Sequence, residues 1–496
     1  MRNDHPDHTQ LRLDGPVILG VELNLDCRDA MIPLLSGLQT LYADEAARSQ
    51  VLELVRQDVL GKASDRRGRR GWDFWTIMVL ATVRLGLDLD YDDLQDKAEN
   101  HRNLRAIMGF GDWQQGKRCD WRRIRDAVCR LRPETLEQIN RIVVQMGHRV
   151  LDQQPTAVRA DSFVMQTNIH YPTDIRQTGD ALRCLIRHGT RLAEAIGSTL
   201  MRQNKHLQKR EKSLTLIASR AASSKGKKKE ERREQSVRDL VDFADERCEQ
   251  AMELLDQAHA RMPELDIDTQ STVIHERSRV CWFLSGLAMV ADVARRRMVE
   301  GEDVPLSDRL FSVFEAHTEL INRGKSPCPI ELGHRCLIIE DNMGYILHAH
   351  VMANGRQDRD VAATITRLLT RDFPSLKSIS FDRGFHSPSN QERLPELIET
   401  PCLPTTGVHA ATEQSEAASQ AWHEARRRHP GIESAIGALQ SGNGCRRCRD
   451  RSKLGYRRYL ALAVLGRNLL TLGRHMIAKD YPRAVAGKSQ RQLYAA

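Results

Sequence analysis

The sequence lacks any long apolar segment. Its most apolar run, residues 74–83, is too short to cross a bilayer and is interrupted by threonines and by the following Arg84. The opening stretch, MRNDHPDHTQLRLDG, has no apolar core of the kind that a secretory signal requires. These two absences predict a soluble protein of the cytoplasm that has no membrane partner.

A regular framework of cysteines is also missing. The 11 cysteines are scattered along the chain and odd in number, which argues against a disulfide-stabilised secreted domain. Cys445 and Cys448 have the spacing of half a zinc site, but no second CxxC or paired histidine motif lies nearby. We expect most cysteines to be reduced, buried small side chains, and zinc binding by this pair stays an alternative.

The charge balance points to a polyanionic partner. Lys and Arg total 75 against 66 Asp and Glu, which gives a formal net charge of +9 and an isoelectric point near 9.0. With 496 residues, the chain has room for two or three domains and a large core. A basic chain of this size suits nucleic-acid binding, although many basic enzymes have the same balance.

The first 150 residues have the periodicity of an all-α region. Helices are predicted at residues 31–61, 72–87, 91–100, 102–108, 121–131 and 133–150, with a basic run at 62–70. Arg122 and Arg123 belong to a cluster of arginines on one short helix, as in helices that enter DNA. An ordinary solvated basic face explains the same cluster, so both interpretations stay open.

Two predicted strands each carry one acid. Asp161 lies in TAVRADSFVM, residues 156–165, and Asp382 ends the strand in SISFDRGFHSPSN, residues 378–390. Between them the pattern predicts helices over 179–300, with the charged run at 225–234 as a solvated linker, and a hairpin over 336–351 followed by a helix over 360–371. This order predicts an α/β fold with a mixed sheet that is interrupted by a helical insertion.

A third acid, Glu433, is placed at the start of a predicted helix. Pro430 suits the first turn of that helix, and Ile432, Ile436 and Leu439 form its apolar stripe. This position directs the carboxylate of Glu433 toward the edge of the stripe, near the sheet. A first-turn glutamate also arises simply because it interacts favourably with the helix dipole.

Together these stretches resemble the DDE transposases of bacterial insertion sequences, and most closely the ISNCY group. The matching phrases, in chain order, are MIPLLSGLQTL (31–41), RADSFVMQTNIHYPTDI (159–175), LFSVFEAHTELINRGKSPCPIELGHR (310–335), ISFDRGFHSPSN (379–390), HPGIESAIGALQ (429–440) and LGYRRYLALAVLGRNLLTLG (454–473). Some related transposases keep a Tyr, an Arg and a Lys around the glutamate, but here those places hold Arg426, His429 and Gln440. That signature is therefore absent.

The resemblance implies the following domain organisation. Residues 1–150 form a helical domain that binds DNA ends, and residues 151–480 form an RNase H-like catalytic domain interrupted by a helical insertion at about 176–325. Residues 481–496 form a tail. The first acid is expected on the first strand of the sheet, the second after a later strand, and the third on a following helix.

The resemblance also implies the chemistry and the partners. Asp161, Asp382 and Glu433 are expected to hold two Mg²⁺ or Mn²⁺ ions, which suit hard carboxylate ligands and phosphoryl transfer. From their charge, phosphate contacts are expected from Arg426, Arg427, Arg428, Arg447, Arg457 and Arg458, in addition to Arg122 and Arg123, although a solvated helix face explains these arginines equally well. The implied partners are the terminal inverted repeats of the element, target DNA and a second copy of the chain, on the bacterial nucleoid. A metal-dependent nuclease without joining activity, or a non-catalytic DNA-binding regulator, remains an alternative.

Overall fold

The structure is a computed structural model that describes residues 17–61, 71–111, 116, 118–226, 228–322, 324, 329–407, 414 and 418–480. The chain divides into two compact units. The first unit comprises Met1–Asn168 and Gly333–Ala496, and the second comprises Ile169–Leu332. The predicted basic run at 62–70 and the predicted tail at 481–496 lie outside the described residues.

The first unit begins with helices, as the sequence predicts. They are α1 (Met31–Ala43), α2 (Glu45–Leu60), α3 (Phe74–Gly86), α4 (Tyr91–Asn100), α5 (Arg102–Ile107), α6 (Trp121–Val128) and α7 (Pro133–Leu151). Aspartate side chains define several starts, because Asp44, Asp73, Asp90 and Asp120 each accept a hydrogen bond from a backbone N–H in the first turn. The inward faces of these helices are apolar, and α3 is buried along its whole length.

The first unit is organised around a mixed sheet. The strands that this unit contributes are β1 (Ala157–Thr167), β3 (Ile330–Asp341), β4 (Ile346–Val351), β5 (Ser378–Phe381), β6 (Thr400–Cys402) and β7 (Arg447–Cys448). β3 pairs antiparallel with both β1 and β4, whereas β5 and β7 run parallel to β1, and β6 runs parallel to β5. The predicted α/β class, the mixed sheet and the β3–β4 hairpin are confirmed, and Gly344 adopts the positive φ of 88° that the hairpin turn requires.

Helices connect and cover these strands. They are α12 (Ala362–Asp372), α13 (Pro388–Leu397), α14 (Gln420–Arg428), α15 (Gly431–Gly442) and α16 (Ser452–Asp480). The long α16 packs on α1 through glycines, since an added Cβ at Gly37 would lie 2.1 Å from the carbonyl oxygen of Leu469, and one at Gly473 would lie 1.8 Å from that of Pro33. The N-terminal helices, which the sequence suggested as a domain of their own, share one hydrophobic core with the sheet and α16.

The second unit is helical. It contains α8 (Asp174–Ile196), α9 (Asn204–Ala222), α10 (Lys229–Arg261) and α11 (Ile267–Met298), followed by the short strand β2 (Glu319–Asn322). These four helices bury a core of their own, which includes Leu185, Leu240 and Leu287. The charged run at 225–234 falls where the chain passes from α9 into α10. Among the residues that the structure describes, no helix is long and apolar enough to span a bilayer.

Candidate active site

Two of the predicted acids lie side by side across adjacent parallel strands. The register of β1 and β5 pairs Arg159 with Ser380 and Ala160 with Phe381. The next residue after each strand pair is Asp161 on the β1 side and Asp382 on the β5 side. Asp382 follows β5 directly and keeps an extended backbone, with φ −81° and ψ 166°. Neighbouring strands are about 4.8 Å apart, and side chains at paired positions point to the same face. The two carboxylates therefore share one face of the sheet.

That face is also where α14 joins α15. Ser380, two residues before Asp382, bonds through its hydroxyl to Nδ1 of His429 at 3.1 Å. Arg159, two residues before Asp161, donates from Nη1 to the carbonyl oxygen of Arg428 at 3.1 Å. Burial lowers the pKa of His429 to about 4, an effect that Arg426 reinforces and Asp382 opposes. The neutral His429 thus anchors the helix junction beside the acids.

Arg159 fixes this junction from the sheet side. Its Nε and Nη2 atoms lie 2.7 and 2.5 Å from Oε2 of Glu340, the residue directly opposite on β3. A Cβ added to Gly431 would lie only 2.0 Å from Nη1 of Arg159, so the first turn of α15 can approach the guanidinium this closely because Gly431 has no side chain. Glu433 follows two residues later in the same turn, exposed to solvent.

The three acids fit a divalent metal in chemistry and only partly in position. Carboxylate oxygens are the ligands that Mg²⁺ and Mn²⁺ prefer, and the strand register aligns Asp161 with Asp382. Within the described ranges, however, no group of three or more His, Cys, Asp or Glu side chains is gathered closely enough to hold a metal ion. The sheet thus supplies a pair of adjacent carboxylates, and Glu433 belongs to the neighbouring helix without closing a ligand cage.

A cationic groove of about 280 Å³ adjoins Asp382. Its walls are formed by Arg383, Pro404, Gln414, Trp422, His423, Arg426 and Arg427. The Nη1 atom of Arg426 is buried and has no hydrogen-bond partner among the described residues. Three guanidinium groups and an indole ring around one groove suit a nucleic-acid strand, since the cations attract phosphates and the ring offers a surface for stacking. Arg428, one residue further on, is exposed.

The other predicted phosphate contacts are exposed but lie on different elements. Arg122 and Arg123 project from the outer face of α6, where their guanidinium groups pack over Trp121 and Trp72. Arg447 is on β7 and donates to Oε1 of Gln166 at 3.2 Å. Arg457 forms an exposed ion pair with Glu134 at 2.8 Å. All four guanidinium groups are accessible to a ligand from solvent.

Arg458 is different, and its predicted contact with DNA is corrected. Arg458 is only 6% exposed; its Nη2 atom lies 3.3 Å from Asp450, and its Nη1 donates to the carbonyl oxygen of Cys129. Asp450 also pairs with the buried Arg84 at 2.7 Å. The guanidinium of Arg84 lies over the ring of Tyr91. A guanidinium enclosed in this network cannot reach a phosphate, so Arg458 stabilises the first unit.

The cysteine pair is also part of the core. Cys445 and Cys448 are both fully buried free thiols. Burial raises the pKa of each thiol well above its usual value, so both stay protonated at neutral pH. Their burial matches the expectation of small side chains in the core.

The sequence did not single out Arg159, Arg383 or Trp422. Arg159 and Arg383 each lie within two residues of a predicted catalytic acid, but an isolated arginine on a strand or in a turn has no pattern that marks a role. Trp422 precedes the arginine run by one helical turn. This spacing, which places the indole ring on the same helix face as Arg426, was the sequence signal that could have linked Trp422 to the groove. The contacts of all three depend on residues distant in the chain.

Comparisons of this chain with protein-family models, with curated proteins and with solved structures find no match in any of the three.

Proposed function

We propose that the chain is a DNA transposase that cleaves DNA at the ends of an insertion sequence and joins those ends to target DNA. The observation that carries the proposal is the register between β1 and β5, which sets Asp161 beside Asp382 on the face that bears α15 and Glu433. The resemblance to DDE transposases names the same three residues independently of this geometry. Agreement between the two arguments favours catalysis over a set of turn-forming acids.

The proposed catalytic fold is RNase H-like. Such a domain has its first acid on the first strand, its second after a later strand and its third on a following helix. In this chain Asp161 is on β1, Asp382 follows β5 and Glu433 begins α15. The mixed sheet, with parallel and antiparallel partners on the two sides of β1, supports the same assignment.

In this proposal Asp161 and Asp382, together with Glu433, hold Mg²⁺ or Mn²⁺. When bound, the metal would stabilise negative charge on the attacking and leaving oxygens at the scissile phosphate. Arg383, Arg426 and Arg427 neutralise the charge of the DNA phosphates along the groove beside Asp382. The link from Arg159 to the carbonyl of Arg428 holds the junction of α14 and α15 against β1, so that Glu433 stays on the side of the two aspartates.

The test is cleavage and strand transfer by purified protein with Mg²⁺ or Mn²⁺ on DNA that carries the sequences flanking its reading frame. We expect nicking at those flanks followed by joining to a second DNA. We expect Asp161→Ala, Asp382→Ala and Glu433→Ala each to abolish cleavage and to leave DNA binding nearly intact. Glu392→Ala, which removes an exposed acid from α13, is the matched control and should cleave at the wild-type rate.

The outcomes separate the candidate functions. Cleavage without joining would replace the transposase with a metal-dependent nuclease. Binding to the flanks without cleavage in either metal would indicate a regulator. Wild-type cleavage by any one of the three acid variants would remove that residue from the site, provided that its circular dichroism spectrum matches that of the wild type.

A further inference from the structure

The positive charge of this chain is concentrated in one short segment of the second unit. Residues 202–233 contain twelve Lys and Arg and three acids, an excess of nine positive charges. The formal net charge of the whole chain is also +9, so the remaining residues are balanced. The segment spans α9, the connection after it and the first turns of α10. Its charge therefore needs an explanation beyond the general basicity of the chain.

The cations of α9 lie on one face of the helix. Lys205, Lys209, Lys212 and Arg220 are separated by four, three and eight residues, which places them along one stripe. All four are exposed, and none forms an ion pair with any residue that the structure describes. At 1.5 Å per residue the stripe is roughly 22 Å long. We call these four residues the α9 basic stripe.

The acids that could neutralise this stripe are absent from its helix or turned inward. Glu211 is the only acid in α9; it is 4% exposed and accepts a hydrogen bond from the hydroxyl of Thr215 at 3.2 Å. Burial raises the pKa of the Glu211 carboxyl. Some exposed arginines on neighbouring helices are paired, for example Arg238 with Glu234 at 2.7 Å. None of the four cations of the α9 basic stripe has such a pair among the described residues.

Like charges three or four residues apart on a helix repel one another. The opposite face of α9 offsets this repulsion, because Leu207 and Ala218 pack into the core of the unit. Beyond α9 the exposed cations continue through Lys225, Lys228, Lys229, Arg232 and Arg233, while Lys227 lies outside the described residues. The exposed cations therefore extend from α9 through the connection after it into the first turns of α10.

We propose that the α9 basic stripe binds the backbone of duplex DNA without sequence preference. Duplex DNA carries one negative charge per about 1.7 Å of axis, so a stripe of this length faces several phosphates at once. Lysines, which predominate in the stripe, act as point charges and position DNA without reading its bases. The proposal rests on the proposed function only for the choice of DNA among polyanions, and it adds a DNA contact remote in sequence from the three acids.

The test measures how affinity for a random-sequence duplex depends on salt, using the full chain, fluorescence anisotropy and no divalent cation. The variant is Lys205→Gln, Lys209→Gln and Lys212→Gln combined. Each phosphate contact contributes about 0.9 to the slope of log affinity against log salt, so we expect the slope to become shallower by about 2.7. At about 0.1 M salt the same change in slope corresponds to an affinity decrease of about 500-fold, if the affinities of the two proteins are equal at about 1 M salt.

The matched control removes the same charge from the same unit. Arg183→Gln, Arg191→Gln and Arg238→Gln combined eliminate three exposed arginines that are already paired with Asp180, Glu276 and Glu234. We expect this control to bind DNA within about threefold of the wild type. Equal losses of DNA affinity in both variants, or no loss in the stripe variant, would overturn the proposal. It would also be overturned if the stripe variant lost affinity for a duplex RNA of the same length and kept its affinity for the DNA duplex. Because the assay needs no cleavage, an inactive enzyme whose binding still depends on the stripe would refute only the proposed function.

Discussion

Replacing Arg159 with methionine should destabilise the first unit strongly. The Arg159 guanidinium contacts Glu340 at 2.5–2.7 Å and the carbonyl oxygen of Arg428 at 3.1 Å. The Glu340 side chain is only 7% exposed, so methionine at position 159 would leave a buried carboxylate without its partner. Removing one member of a buried ion pair typically costs about 3–5 kcal/mol. We expect a loss of that size at neutral pH.

The loss should depend on pH in a defined direction. Burial raises the pKa of Glu340, and the charge and hydrogen bonds of Arg159 oppose that rise. Without the guanidinium the folded-state pKa moves further above the unfolded value, so the folded chain binds the proton more tightly than the unfolded chain does. The stability of the variant should therefore fall as the pH rises from the unfolded-state pKa of Glu340 to its raised folded-state pKa. It should be closest to the stability of the wild type at acidic pH.

Urea unfolding followed by circular dichroism, at about pH 5 and pH 7, measures both effects. The double variant Arg159→Met, Glu340→Gln removes the buried charge as well, and it should recover most of the stability lost at pH 7. Under conditions where the single variant stays folded, cleavage should still fall, because the junction of α14 and α15 has lost its hydrogen bond to β1. A single variant within about 1 kcal/mol of the wild type at pH 7 would refute the reasoning.

Three further perturbations test the packing of the first unit by urea unfolding. Asp450→Asn should cost about 3–5 kcal/mol by depriving two buried arginines of their shared carboxylate, and a cost below about 1 kcal/mol would contradict that network. Burial lowers the pKa of His348 to about 4, so this histidine alone should contribute a loss of about 1.6 kcal/mol between pH 6.5 and pH 5, and His348→Gln should reduce the slope of stability against pH by that amount. Gly473→Ala should lower the free energy of unfolding by about 1–3 kcal/mol, because the added methyl group clashes with α1. Unchanged stability would refute that close contact.

The acid-bearing strands and the hairpin could be predicted because their signals are local. Alternation of polar and apolar residues marks β1 and β5, and Gly344 ends a turn that tolerates few other residues. Asp382 follows its strand within one residue of the predicted end. The pairing of β1 with β5 was not deducible in the same way, since Ala157 and Ser378 are more than two hundred residues apart.

Long-range packing explains what the sequence could not indicate. Arg457 and Arg458 are chemically identical neighbours, yet one is exposed beside Glu134 and the other is enclosed with Asp450. Only the rotation of α16 against its neighbours decides between them. The shared core of the N-terminal helices and the sheet has the same origin, because the glycine contacts between α1 and α16 join opposite ends of the chain.

The long interruption between β1 and β3 is compatible with an intact sheet because of where it occurs. β1 and β3 are antiparallel, and their register brings Gln166 opposite Gly333, so the chain leaves and re-enters the first unit at neighbouring positions. A hairpin connection joins the same two positions whatever its length, and lengthening a loop costs only about 0.6 kcal/mol per doubling. An added Cβ at Gly333 would lie 2.0 Å from the carbonyl oxygen of Met165, which accounts for glycine at the point of return. The alignment of Asp161 with Asp382 depends on the other edge of β1, and so an insertion at this hairpin leaves the pair of carboxylates undisturbed.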